Sequence, residues 1–228
     1  MMGSLSAALF VTSILLSVSA AAQDLVLFKA IREENVAEVE RLLNSGKVDL
    51  EPPYKPNFVN KPLAYTAAYG NLEIVKLILA KGADINGRVA YGNAPLHKAA
   101  ERGDRKIVLH LIEKGADVNL ANDFGFSTFG GLCGMPHTDA ALIKLVLAHG
   151  GKVNEAPRTN YRVGKERPTR TKTHTPLQTA VVSASLEIIQ LLLDAGGDPS
   201  LKDSNGKTCF DLAQSRPEVL ALLKPRQR

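Results

Sequence analysis

Apolar residues along this chain come in short clusters at helical spacing, each closed by glycine and followed by polar residues. The cleanest cluster is Ile107, Val108, Leu111 and Ile112, a stripe that one face of a helix can bury. Gly115 ends it, where glycine tolerates the left-handed backbone that closes a helix. Upstream, Pro95 suits a first helical position, which needs no backbone donor. The small pair Ala99 and Ala100 lets that shorter helix approach its neighbours, and Gly103 supplies the turn between the two helices. The pattern therefore predicts a helix–turn–helix unit followed by a loop.

The unit recurs. Ala94-Pro-Leu-His-Lys-Ala-Ala-Glu-Arg-Gly, ending in Gly115-Ala-Asp-Val-Asn119, is matched 33 residues earlier by Lys61-Pro-Leu-Ala-Tyr-Thr-Ala-Ala-Tyr-Gly and Gly82-Ala-Asp-Ile-Asn86. A weaker copy starts 33 residues later at Ser127 and closes on Gly150-Gly-Lys-Val-Asn154. Thr175-Pro-Leu-Gln-Thr-Ala-Val opens another after 15 extra residues, with Thr175 placed to cap its helix. A shortened unit starts at Thr208, and residues from Leu25 to Glu51 fit as a divergent first one. A helix pair this small cannot bury its own apolar faces, so the units must stack.

These residues resemble the ankyrin repeat, whose pattern includes T-P-L-H-x-A at a period of 33. The resemblance implies an all-α solenoid of helix–turn–helix units with β-hairpin-like loops, about five units and a C-terminal cap. The units span about 24–52, 56–88, 89–121, 122–154, 155–202 and 203–224, within a repeat domain over 23–224. The fourth is irregular: Phe129-Gly-Gly-Leu-Cys-Gly-Met-Pro-His137 stands in place of a normal first helix, and the second helix arrives two residues late. A short or distorted helix is expected there. Cys133 and Cys209, the two cysteines, fall in units four and six. Helices pack about 8–10 Å apart, which separates the sulfurs by roughly 20 Å and excludes a disulfide, since that needs α-carbons within about 7 Å.

Residues 1–22 carry no charged side chain; an apolar run from Ala7 to Val18 precedes small residues at a spacing that a signal peptidase reads. The run is too short for a span of roughly 20 residues. A cleaved signal and an exported protein are expected, periplasmic or, alternatively, extracellular.

Net charge is +5, but it is placed unevenly. The inserted segment 157–174 holds Arg158, Arg162, Lys165, Arg167, Arg170 and Lys172 against Glu166 alone, with Tyr161 its only aromatic. Outside it, 22 of the 28 Lys and Arg balance 22 of the 23 Asp and Glu. A loop of this length is usually functional or disordered, and its charge favours encounter with acidic partners. A basic tail follows at 225–228.

No nucleophile elbow, phosphate-binding loop or zinc helix motif is present, and no cofactor is implied. Cys133-x-x-x-His137 supplies two metal ligands at most, short of the three or four a site needs. His97 belongs to the repeat pattern, with hydrogen bonding at the helix start as its expected role. Asp84, Asp117 and Asp198 recur at loop starts, as repeat features and not as an acid–base pair.

The resemblance implies protein binding, with no catalysis, through the hairpin tips and the inner face of the first helices. At those positions lie Phe58, Asn60, Tyr91, Asn93, Phe124 and Phe126 on the tips, and Tyr69, Glu101, Arg102 and Met135 on the helix ends. Five of these ten are aromatic in a chain with twelve aromatics, the composition of interface hot spots. The expected protein is a monomeric scaffold for a protein partner, with Tyr69, Tyr91, Phe124 and Phe126 at the apolar centre and an acidic partner surface favoured by the loop. The alternative is an envelope or membrane-surface anionic ligand held by the loop. Nucleic acid is the least favoured partner, because one aromatic is thin for base stacking.

Overall fold

The computed structural model describes residues 25–53, 61–135, 138–156 and 174–224. The expected signal segment 1–22, Phe58, Asn60, His137, the cluster from Arg158 to Lys172 (with Tyr161, Arg162, Lys165, Arg167 and Arg170) and the tail 225–228 lie outside the described residues.

A helix runs through residues 25–32 (α1) and is followed by α2 (Val36–Asn44). Four further pairs are α3 (Pro62–Tyr69) with α4 (Leu72–Ala80), α5 (Pro95–Arg102) with α6 (Arg105–Glu113), α7 (Thr128–Gly134) with α8 (Ala140–Ala148), and α9 (Pro176–Ser183) with α10 (Leu186–Asp194). The chain closes on α11 (Cys209–Leu212) and α12 (Pro217–Leu223). Helices α3, α5, α7, α9 and α11 each touch the next and form an inner layer; α2, α4, α6, α8, α10 and α12 do the same in an outer one. The architecture is an all-helical repeat solenoid.

Local chemistry sets the helix starts. Pro62, Pro95 and Pro176 occupy first helical positions in the inner layer. Outer helices α2, α4, α6, α8 and α10 open on Asn35, Asn71, Asp104, Asp139 and Ser185, whose side chains accept a backbone N–H of the first turn. Caps of this kind contribute about 1 kcal/mol each. Gly103 and Gly115 both take the left-handed backbone, as the stop signals require. Ile107, Val108, Leu111 and Ile112 are buried, and one continuous apolar core runs from Leu27 to Leu223.

Loop polar groups lock each unit to the next. Asn86 Oδ1 accepts the Asp117 N–H (2.9 Å), Asn119 Oδ1 the Lys152 N–H (2.9 Å) and Asn154 Oδ1 the Asp198 N–H (2.8 Å). Within each loop Asp84, Asp117 and Asp198 accept the N–H two residues on, which fixes the turn.

Unit four departs as its residues require. Helix α7 has seven residues where α3, α5 and α9 have eight, and α8 starts 35 residues after α6. Gly134 lets α7 and α9 close up, for a Cβ there would sit 2.8 Å from Thr179 Cγ2. Cys133 and Cys209 are buried free thiols. No helix among the described residues is long and apolar enough to cross a membrane.

Candidate functional site

The hairpin before α5 is built around Tyr91. Val89 N–H donates to the Asn93 carbonyl at 2.8 Å, and the tip between them turns through Tyr91 (φ +59°) and Gly92 (φ +70°). A bulky L-residue rarely adopts positive φ, and holding one there costs on the order of 1–3 kcal/mol. The next hairpin braces it: Asp123 N–H donates to the Tyr91 carbonyl at 2.9 Å, and Asp123 lies so close to Gly92 that a Cβ there would collide with it. The backbone thus sets the Tyr91 ring beside Phe124, with centroids 5.6 Å apart. Tyr91 is 43% exposed and Phe126 56%.

Asn93, expected on an exposed tip, is 4% exposed. Its side chain is used within the fold: Nδ2 donates to the Ala90 carbonyl (3.2 Å) and Oδ1 accepts from Asn122 Nδ2 (3.0 Å). Asn122 Oδ1 in turn accepts the N–H groups of Phe124 (3.1 Å) and Phe126 (3.0 Å), shaping the aromatic hairpin. Two units on, His174 and Asp203 repeat the arrangement, with Nε2 and Oδ2 3.2 Å apart. Asp203 Oδ1 accepts the Asn205 and Lys207 N–H groups, each at 2.8 Å. Burial alone would raise the Asp203 carboxyl, but those N–H donors and His174 outweigh it and hold the group below its ordinary range.

His97 has the role expected for it. Its Nδ1 accepts the Ala94 N–H (3.1 Å), which leaves the proton on Nε2, 3.1 Å from the Phe126 carbonyl. Burial pushes its pKa below the ordinary value.

The remaining helix-end residues divide. Tyr69 is 48% exposed and belongs to a separate ring cluster with Tyr65 (4.8 Å), which stacks on Phe28 (4.6 Å); the Arg32 guanidinium lies 5.7 Å above Tyr69. Sequence reasoning missed Tyr65, though it precedes Tyr69 by one helical turn and so shares its face. Glu101 is exposed and pairs with Lys98 at 2.7 Å. Arg102 is also exposed, but its guanidinium donates to the Gly70 carbonyl and ties α5 to the preceding unit. Met135 is half-buried between two recesses. One, of about 400 Å³, lies between α7 and α9 and is lined by Phe126, Gly130, Gly131, Gly134, Met135 and Val182, among others. The other, of about 310 Å³, includes Arg102, Arg105 and Leu132.

Burial raises both thiols, Cys209 to about 12, and disfavours the thiolate. Among the described residues no three His, Cys, Asp or Glu side chains come together as a metal site would require.

The geometry of stacked helix pairs and braced hairpins has a counterpart in sequence families. A model of three ankyrin repeats matches residues 27–122, and a single-repeat model matches 173–204. The chain is an ankyrin-repeat protein. Between the two matches this ankyrin-repeat protein carries α7 and α8, which continue the stack although the glycine-rich α7 departs from the pattern. Among solved structures it is similar to a chain of the complex described as the Bd0816 predatory endopeptidase from Bdellovibrio bacteriovorus with immunity protein Bd3460. The TM-score is 0.68 and the identity 24%, over 89% of this chain and 97% of that one. That likeness establishes the shared fold. No curated protein matches the sequence.

Proposed function

We propose that this ankyrin-repeat protein is a non-catalytic scaffold that binds another protein outside the cytoplasm. The observation that carries the reading is the Tyr91 tip. Strained backbone held by its surroundings clusters at functional sites, and here it sets an exposed tyrosine against Phe124 with Phe126 on the same hairpin. Exposed aromatics on a rigid frame anchor interfaces at low entropic cost. The similar solved chain belongs to a complex of an endopeptidase with an immunity protein, and the same class of ligand, a folded protein, is proposed here. Export rests on the uncharged segment 1–22 with its apolar run and small residues. The basic stretch 157–173 contributes attraction for acidic partner surface.

The test is a pull-down from envelope extract with the mature chain beside a Tyr91→Ala/Phe126→Ala variant shown by circular dichroism to be folded. A partner protein retained by the parent and lost by the variant is expected. Equal retention by both would remove the aromatic hairpins from the interface. N-terminal sequencing of protein from fractionated cells checks export, with a new N-terminus near residue 23 as the expected result.

A further inference from the structure

We propose that the recess between α4 and α6 in the outer layer is a binding site for a phosphate group, held by Lys76, His110 and Lys114. The argument begins with His110. In α4, α8 and α10 the same helical position carries Leu77, Leu145 and Leu191, each half-buried and packed against the core. In α6 it carries a half-buried imidazole, whose nitrogens have no hydrogen-bond partner among the described residues. Histidine is a poorer helix former than leucine, and a polar group drawn from water without a partner costs free energy. A protonated histidine near a helix C-terminus would be favoured by the dipole. Burial, and after it the charges of Lys76 and Lys114, instead push the His110 pKa below its ordinary value, against the opposing pull of Glu113. At neutral pH the ring is therefore uncharged, and neither packing nor the helix end calls for it.

The surroundings of the ring select a ligand. The recess has a volume of about 430 Å³ and is lined by Lys76, Leu79, Ala80, His110 and Lys114, with no carboxylate among them. Neither lysine forms an ion pair among the described residues. Lys114 follows the last residue of α6 as Lys81 follows that of α4, a place where the helix end itself favours a cation. Lys76 has no such reason to be there, and the two lysines face one space as like charges. An anion seated between them removes that repulsion. A carboxylate is best matched by the planar fork of arginine, which the recess lacks. Lysine binds phosphate as a point charge. Two lysines balance a phosphate's charge of about −2, and the two ammonium groups with one imidazole N–H offer donors to its oxygens. The site belongs to the outer layer, whereas Tyr91 and Phe124 stand on the hairpins before α5 and α7. It goes beyond the protein-binding reading, and either can fail without the other.

The test is a pH titration of the histidine ring signals by 1H–13C correlation, with His110 assigned by its loss in His110→Leu. The probes are inorganic phosphate, acetate and sodium chloride at matched ionic strength, because salt alone screens the two lysines. Phosphate should raise the His110 midpoint above its value in chloride or acetate and leave that of His97 unmoved. Followed by the amide shifts of α6, phosphate affinity should fall about tenfold in Lys76→Gln and in His110→Leu. Tm of His110→Leu should hold or rise, since leucine restores the residue of the other units. Weaker binding without lost stability is a combination that a merely structural histidine would not give. Co-sedimentation with phosphatidylglycerol vesicles, beside phosphatidylcholine ones, separates the sources. Selective sedimentation that Lys76→Gln abolishes assigns the phosphate to a lipid headgroup, and phosphate binding without it assigns a soluble phosphate. Equal His110 midpoints in phosphate and chloride would overturn the proposal. So would acetate acting as strongly as phosphate, or phosphate affinity unchanged in both variants.

Discussion

His97 reaches from the first turn of α5 into the neighbouring unit, where its Nε2 lies 3.1 Å from the Phe126 carbonyl oxygen. Because Nδ1 meanwhile accepts the Ala94 N–H, a second proton on the ring would set a donor against a donor. Burial depresses the folded pKa below the ordinary histidine value of 6.5. Above 6.5 the ring is neutral in both folded and unfolded chains, and its contribution to stability is fully present. As pH falls below 6.5 the unfolded chain binds the proton first, so stability declines toward the depressed folded value. Urea midpoints should therefore drop between pH 7.5 and 5.5. His97→Gln should flatten the drop, since Gln178 makes equivalent cap bonds in unit five, accepting from Thr175 N–H at 2.8 Å and donating to Leu201 at 2.7 Å.

Tyr91 should separate stability from binding. Tyr91→Gly relieves a positive φ worth about 1 kcal/mol or more and loses a ring pair worth about 0.5–1.5 kcal/mol. The two offset, so the denaturation midpoint should move by less than about 1 kcal/mol equivalent while partner capture falls. A large stability loss, seen in the same urea titration, would mean the ring is a packing element.

Two glycines of one helix should answer alanine with opposite signs. Gly134→Ala drives a Cβ to 2.8 Å from Thr179 Cγ2 and should destabilise by about 1–3 kcal/mol through overpacking. Gly131→Ala meets only an ordinary contact with Met135 Cε, at 3.9 Å, and should stabilise by about 0.5–1 kcal/mol through helix propensity. Thermal melts of the two variants side by side decide it.

Asn119 makes two bonds to the following unit, Nδ2 to the Gly150 carbonyl (2.8 Å) and Oδ1 from the Lys152 N–H (2.9 Å). Asn119→Ala removes both and should cost about 1–3 kcal/mol. The loss lies between units, so fluorescence and circular dichroism should report less coincident unfolding transitions than in the parent.

Cys133 and Cys209 are fully buried and both thiols are raised. Iodoacetamide should label neither in the native protein and both in denaturant, as mass spectrometry would show. Rapid native labelling of Cys133 would indicate opening of unit four.

The stacked fold was legible because its signals are local and periodic: Pro95 at a helix start, Thr175 at a cap, Gly103 and Gly115 at stops, and apolar stripes between. The shortness of α7 was legible too, from Gly130 and Gly131. The binding face was read less well, for reasons that lie in tertiary geometry. Asn93 sits on a tip by position, but its exposure depends on Asn122, 29 residues away, which turns it inward. The positive φ of Tyr91 comes from the brace at Asp123, and no property of tyrosine announces it. The α7–α9 groove consists of side chains that are missing, and a pattern of present residues does not draw attention to a space.

That space bears on how the molecule opens. Stability in a repeat array passes only from each unit to its neighbour, so a weak unit divides the array into blocks that fluctuate apart. With glycines at 130, 131 and 134, α7 is the weak unit, and amide exchange there should outpace that in α5 and α9. The protein would then breathe as two bodies joined at unit four, each half sensing the other only through α7 and α8.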